Sequence, residues 1–254
     1  MSRWIHGLHA VLEALESAPD QVTRVVAAER ADGRGDARLQ KIMAAARGAG
    51  VPFDRQPGKA LDRLAGEGAV HQGVVALVAE ASYADPDEVV AKAPAPALFL
   101  VLDGVEDPRN LGAAIRVAAA AGAGGIFVPE RRSAGLSAAC VKASAGTALK
   151  FPVARIGNLA TFLKRLKSEG VWVVGLDPEG SPVWSGFDLS VPIALVTGGE
   201  GKGLRRLTRE SCDALLALPM APGVESLNLS VAAGIALYEA LRQRRKVLQG
   251  KEIV

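Results

Sequence analysis

Ile193-Ala194-Leu195-Val196-Thr197-Gly198-Gly199-Glu200-Gly201-Lys202-Gly203-Leu204 is the stretch whose reading decides the fold. Its first five residues, apolar up to Thr197, form a run of strand length, and a cluster of glycines follows at the C-terminal end. Glycine lets the backbone approach a ligand closely, and open α/β sheets bind ligands beyond the C-terminal ends of their strands. Two common nucleotide motifs fail here. A GxGxxG pattern begun at Gly199 ends on Leu204, and a P-loop would need glycine at Val196 and Ser or Thr at Gly203. A plain glycine turn has much the same composition; Glu200 is the residue such a turn does not require.

Outward from this stretch, strand and helix patterns alternate. Leu98–Leu102 is a fully apolar strand, as expected when helices cover both faces. Leu111–Ala121 reads as an alanine-rich helix, Ile126–Val128 as a strand and Ser137–Thr147 as a weak helix. Leu159–Leu166 is a basic helix, Val171–Leu176 and Leu215–Leu218 are strands, and Leu229–Arg245 is a long helix with arginines at its end. The alternation predicts an α/β fold on a mostly parallel sheet. Upstream, Leu8, Val11, Leu12 and Leu15 have helical spacing, ended by Pro19. Val22–Ala28, Val51–Phe53 and Val74–Val78 read as strands, and Leu39–Ala46 and Ala60–Ala65 as helices. Residues 1–80 therefore form a smaller α/β domain. Residues 81–96, acidic and carrying Pro86, Pro94 and Pro96, read as a linker to a larger domain over 97–254.

Hydrophobic residues make up 49% of the 254 but aromatics only 4%, so the core must come from Val, Leu, Ile and Ala. Cys140 and Cys212 lie far apart, with no CxxC and no histidine at ligand spacing, which argues against a disulfide framework or a zinc site. No apolar run has signal-peptide or membrane-spanning length, so a soluble cytoplasmic protein without a metal centre is expected. The net charge is +3. Residues 1–80 are balanced and 81–95 are acidic, so the basicity lies beyond them, with Arg131-Arg132 and Arg242–Lys246 prominent. A basic face suits a phosphate-bearing partner, although solvated surface clusters have the same composition.

Two further segments carry candidate chemistry. In Asp107-Pro108-Arg109-Asn110-Leu111-Gly112-Ala113-Ala114-Ile115-Arg116, a helix opens after an apolar strand. Asn110 is placed to cap it, and the free N–H groups at its start favour an anion. Arg116 follows nearly two turns later. In Leu216-Ala217-Leu218-Pro219-Met220 through Glu225-Ser226-Leu227-Asn228-Leu229-Ser230, a strand ends at proline and small polar residues precede the long helix. Ser226, Asn228 or Ser230 is suited to cap that helix, a role that needs no function.

Together, in this order and spacing, the three segments resemble the motifs of the SpoU/TrmH-type RNA 2′-O-ribose methyltransferases of the SPOUT superfamily. Asn110–Arg116 resembles the first motif, Leu195–Leu204 the second, and Leu218-Pro219-Met220 with Ser226–Ala232 the third. Ile5–Val11 and Ala69–Val74 are similar to the auxiliary domain of the RlmB-like branch, a ribosomal-protein-L30e-like fold that helps hold the RNA. His6, His9 and His71 in those stretches are equally suited to packing.

The resemblance implies a trefoil-knotted parallel-sheet catalytic domain, S-adenosyl-L-methionine as cofactor and a homodimer. It also implies 2′-O-methylation of a guanosine ribose in 23S ribosomal RNA. A transfer-RNA ribose methyltransferase and a catalytically inert RNA-binding module of the same fold are the alternatives. Carried over residue by residue, it puts Asn110, Arg116, Glu200, Ser226 and Asn228 in the catalytic site. Thr197, Gly198, Gly199, Gly201, Leu218, Met220 and Leu227 would hold the cofactor. Glu225, where relatives commonly carry a small residue, departs from the pattern and leaves the target nucleotide less defined than the reaction.

Overall fold

The apolar spacing at Leu8, Val11, Leu12 and Leu15 produces the helix it predicts. The computed structural model describes residues 2–29, 37–66, 68–79, 82–181, 186–199 and 203–251. In it, β1 (Ser2–His6) leads into α1 (Leu8–Ser17), which buries Ala10, Val11, Ala14 and Leu15. There follow β2 (Val22–Ala28), α2 (Ala37–Gly48), β3 (Phe53–Gln56), α3 (Gly58–Ala65) and β4 (Val74–Ala79). The strands form a sheet in the order β1-β4-β2-β3, antiparallel except between β2 and β3. Two strands depart from the sequence reading. Ser2–His6 forms a strand where the sequence predicts none, and the strand predicted at Val51–Phe53 lies at Phe53–Gln56. Both are edge strands with one partner each, so a long-range ladder defines them and local apolar pattern does not.

By compactness the chain falls into two units, Met1–Ser82 with Gly135–Lys150, and Tyr83–Ala134 with Phe151–Val254. In the second, the proline-rich stretch expected to be a linker contains a short helix, α4 (Pro86–Ala91). Asp85 caps it by accepting hydrogen bonds from the N–H groups of Asp87 (2.9 Å) and Glu88 (3.1 Å), and Pro86 sits at its first turn, where its missing donor is harmless. Val89 is buried in the core with Phe99 and Phe127.

The rest runs β5 (Leu98–Asp103), α5 (Pro108–Ala120), β6 (Gly125–Pro129), α6 (Ala138–Ala143, in the first unit), β7 (Val153–Ile156), α7 (Leu159–Ser168), β8 (Trp172–Ser181), β9 (Ile193–Gly198), α8 (Arg206–Ser211), β10 (Ala214–Leu216) and α9 (Leu229–Lys251). Six strands make one parallel sheet in the order β10-β8-β9-β5-β6-β7. Every residue of β5 and β6 is buried, which explains their unbroken apolar character.

α9 packs against α5. Leu229, Ala233, Ala236, Leu237 and Ala240 are its buried residues, and a Cβ added at Gly234 would lie 3.3 Å from Val117 Cγ2. The basic cluster at its end is partly structural. Arg242 pairs with Glu239, and Arg244 donates to the carbonyls of Pro96 (2.6 Å), Ala97 (2.9 Å), Val191 (2.7 Å) and Leu189 (3.3 Å). Burial lowers the Arg244 pKa, yet four carbonyl acceptors satisfy its donors at the starts of β5 and β9. Among the described residues, no helix is long and apolar enough to cross a membrane and no group of His, Cys, Asp and Glu has metal-binding arrangement.

Candidate active site

From β5 the chain builds outward to β6 and β7, then crosses to β8 and returns to place β9 between β8 and β5. The winding direction therefore changes between β5 and β9. Neighbouring loops leave in opposite directions there, opening a crevice at the strands' C-terminal ends. The ladder pairs Asp103, the last residue of β5, with Gly198, the last of β9. A cavity of about 240 Å³ lies at this point, lined by Asp103, Gly104, Glu106, Arg132, Gly199 and Arg205 among others.

Space requires glycine at 198 and leaves little room at 199. A Cβ at Gly198 would sit 2.1 Å from the carbonyl carbon of Gly203, and one at Gly199 would sit 3.0 Å from the Gly104 carbonyl oxygen. The Gly199 N–H donates to the Gly203 carbonyl at 3.2 Å, closing the loop on itself. Gly203 has φ +61°, in the left-handed region that favours glycine. Thr197 is buried, and its hydroxyl has no hydrogen-bond partner among the described residues. Glu200 and Gly201 lie outside the described residues.

The first motif opens α5, but Asn110 is not the cap. Asp107 caps the helix, accepting from the Arg109 N–H at 2.7 Å, with Pro108 at the first helical position. Asp-Pro is the stronger start signal, because proline presets the helical φ and lacks the donor that would otherwise need a partner. Asn110 thus falls inside the first turn, where its side chain is released from capping. It accepts a hydrogen bond from Asn228 Nδ2 at 2.9 Å. Asn228 in turn caps α9, its Oδ1 accepting from the Ser230 N–H (2.9 Å) and hydroxyl (2.6 Å). This single pair joins the first and third motifs across 118 residues of sequence.

Arg116 is exposed on α5 and enters no ion pair or hydrogen bond among the described residues. Leu218 is half-buried, whereas Met220, Ser226 and Leu227 are exposed in the stretch between β10 and α9. Burial, then Asp213, pushes the Cys212 thiol up to about 12, which favours the protonated thiol over the thiolate.

The sequence reading missed three residues at this end of the sheet, Asp103, Glu106 and Arg205, and had Arg132 only as part of a basic cluster. Asp103 is buried, and its carboxylate accepts from the Arg205 backbone N–H (2.9 Å), from Nε (2.6 Å) and from Nη2. A charged residue ending a fully apolar strand was the available signal. Glu106 and Arg132 are exposed and enter no ion pair among the described residues. Arg132 has φ +64°, beside the bridge between Val105 and Ser133.

Comparison with known proteins matches this geometry to a family. Residues 97–238 match the model of the SpoU rRNA Methylase family, and residues 4–84 match RNA 2′-O ribose methyltransferase substrate binding. The chain belongs to the SpoU rRNA methylase family. Among similar members, the 23S rRNA (guanosine-2′-O-)-methyltransferase RlmB of Xylella fastidiosa is 43% identical over 249 residues, covering 97% of this chain and 98% of that protein. The RlmB of Pseudomonas syringae pv. tomato is 45% identical over 243 residues, covering 94% and 95%. Of solved SpoU-like structures, the AdoMet-bound rRNA methyltransferase of Sinorhizobium meliloti has a TM-score of 0.74 at 28% identity, covering 95% of this chain and 87% of that one. The SpoU match begins at Ala97, one residue before β5, and ends within α9 at Tyr238. It therefore takes in all three motif segments.

Proposed function

We propose that this chain methylates the ribose 2′-hydroxyl of a guanosine in 23S ribosomal RNA, with S-adenosyl-L-methionine as donor. The observation that carries the reading is the hydrogen bond between Asn110 and Asn228, which brings the first and third motifs together in a chain similar over nearly all its length to RlmB proteins.

The residues present fit the cofactor. Gly198 has no room for a side chain and Gly199 little, the Thr197 hydroxyl has no partner among the described residues, and Met220 and Leu227 offer exposed apolar surface nearby in sequence to Leu218. When bound, the cofactor supplies a methyl group on a cationic sulfonium, already a good leaving group. The protein's task is then to align the acceptor oxygen and manage its proton. Arg116, exposed and without an ion-pair partner among the described residues, is suited to hold an adjacent phosphate and to stabilise the developing 2′-oxyanion. A guanidinium stays protonated, so action as a base is the weaker assignment. Asn110 and Asn228 fix the acceptor side of the pocket, with Ser226 and Glu200 completing it, and Gly201 belongs with the cofactor loop.

The same reading includes a trefoil knot through the second and third motifs, a cytoplasmic location, and a division into residues 1–80 for RNA binding, 81–96 as linker and 97–254 for catalysis. It also includes a homodimer. Val231, Ile235 and Tyr238 form an apolar stripe on α9, 48%, 39% and 51% exposed, opposite the face that packs on α5. An unsatisfied stripe of this kind needs a partner surface.

Incubation with labelled S-adenosylmethionine and 23S RNA, then alkaline digestion, tests the function. A 2′-O-methyl group removes the hydroxyl that attacks the phosphodiester, so label is expected in an alkali-resistant dinucleotide that begins with guanosine. Label in mononucleotides, or none, overturns the assignment.

A further inference from the structure

Asp103 touches both ends of the glycine loop. Its backbone pairs with Gly198 in the β5–β9 ladder, where the loop begins. Its carboxylate accepts the backbone N–H of Arg205 at 2.9 Å, two residues past Gly203, where the loop ends. The same carboxylate binds the Arg205 guanidinium through Nε at 2.6 Å and through Nη2. The carboxylate side chain is fully buried, while the guanidinium is 42% exposed and faces the cavity. Asp103 also ends the strand that leads, four residues later, into the cap of α5, the helix bearing Asn110 and Arg116.

We propose that Asp103 and Arg205 are positioning residues for methyl transfer, a pair that sets the glycine loop against the β5 end from which the catalytic helix departs. Gly198 and Gly199 leave the end of β9 with no side chain to anchor the backbone, and the pair supplies a fixed contact at Arg205. A buried carboxylate is costly unless paired, so the loop end cannot leave Asp103 without stranding a charge. The pair therefore fixes Arg205, on the cavity wall, against the end of β5. Two charge-assisted bonds from one planar guanidinium fix direction as well as distance. No sequence motif marks the pair, because its partners lie 102 residues apart.

This inference rests on the proposed function, and its test separates the two. Amide hydrogen exchange needs no cofactor. In Asp103→Ala the Arg205 amide is expected to lose protection, while amides of β6 and β7 keep theirs. Titration with S-adenosylhomocysteine is expected to give about tenfold or greater weakening in Asp103→Asn and Arg205→Ala, the worth of a bond to a charged group. Arg205→Lys, which keeps the charge but not the fork, is expected to recover part of that affinity. A purely structural pair would lower thermal stability and leave the dissociation constant of the folded protein unchanged. Wild-type affinity in folded Asp103→Asn and Arg205→Lys overturns the positioning role and leaves the function standing. If Asp103 variants do not fold, Arg205→Lys decides alone, since it leaves the buried carboxylate paired. Failure of the wild-type protein to bind S-adenosylhomocysteine would sink the function itself.

Discussion

At the scale of single residues, Gly198 and Arg116 show opposite kinds of constraint. A Cβ at Gly198 would stand 2.1 Å from the backbone of Gly203, where no flexible side chain can yield. Gly198→Ala is therefore expected to open the second-motif loop and cost about 1–3 kcal/mol of stability. Urea unfolding would measure the loss, and calorimetry would show weakened binding of S-adenosylhomocysteine. Arg116 has no packing role to lose, being exposed and without an ion-pair partner among the described residues. Arg116→Ala is expected to lower kcat about 10²–10³-fold with cofactor affinity and melting temperature unchanged. Single-turnover kinetics with RNA would check this, and near-normal turnover would remove Arg116 from the reaction.

Elements in this protein are held by features that local pattern does not describe. α9 has an apolar face toward α5, as its sequence predicts, but Arg244 fastens its far end to four carbonyls at the starts of β5 and β9. These carbonyls face a cation with no carboxylate among its bonded partners, so the alkyl stem and the fork both matter. Arg244→Ala is expected to destabilise the chain by about 1.5–3 kcal/mol, the worth of hydrogen bonds to a charged group. Chemical denaturation at neutral pH would detect it, and Arg245→Ala, on the exposed side, serves as the control. The Arg242–Lys246 cluster, read from sequence as a candidate phosphate surface, is thus divided: Arg242 and Arg244 are engaged within the fold, and Arg245 and Lys246 are exposed.

For the whole molecule, two predictions concern what each unit and face requires. Gly135–Lys150 belongs to the N-terminal unit, where Val141, Ala145, Ala148 and Leu149 are buried. Gln21 Nε2 donates to the Leu149 carbonyl at 2.5 Å, and Gly146 lies so close to α1 that a Cβ would meet Glu13 Cγ at 2.8 Å. Removing residues 1–82 is therefore expected to leave an apolar surface rather than a clean catalytic domain. Dye binding and aggregation in gel filtration would reveal it. Ile235→Asp, placed in the exposed stripe of α9, is expected to shift a dimer toward monomer in sedimentation without altering the secondary structure. An unchanged sedimentation coefficient would move the interface elsewhere.

The amino-acid sequence by itself determined the buried parallel strands and the helices with an apolar face, and its three motif segments carried the resemblance to the family. The signals for strands and helices are local: an unbroken apolar run and a 3.6-residue period. Tertiary structure alone decided the edge strand β1, the bounds of β3, the placement of Gly135–Lys150 with the N-terminal unit, and the meeting of Asn110 with Asn228. It also decided that Asp107 takes the cap of α5 and that Asp103 holds Arg205. Each of these depends on groups brought together by the winding of the sheet. Hydrogen-bond geometry between distant residues leaves no period or spacing in the chain for a reader of sequence to find.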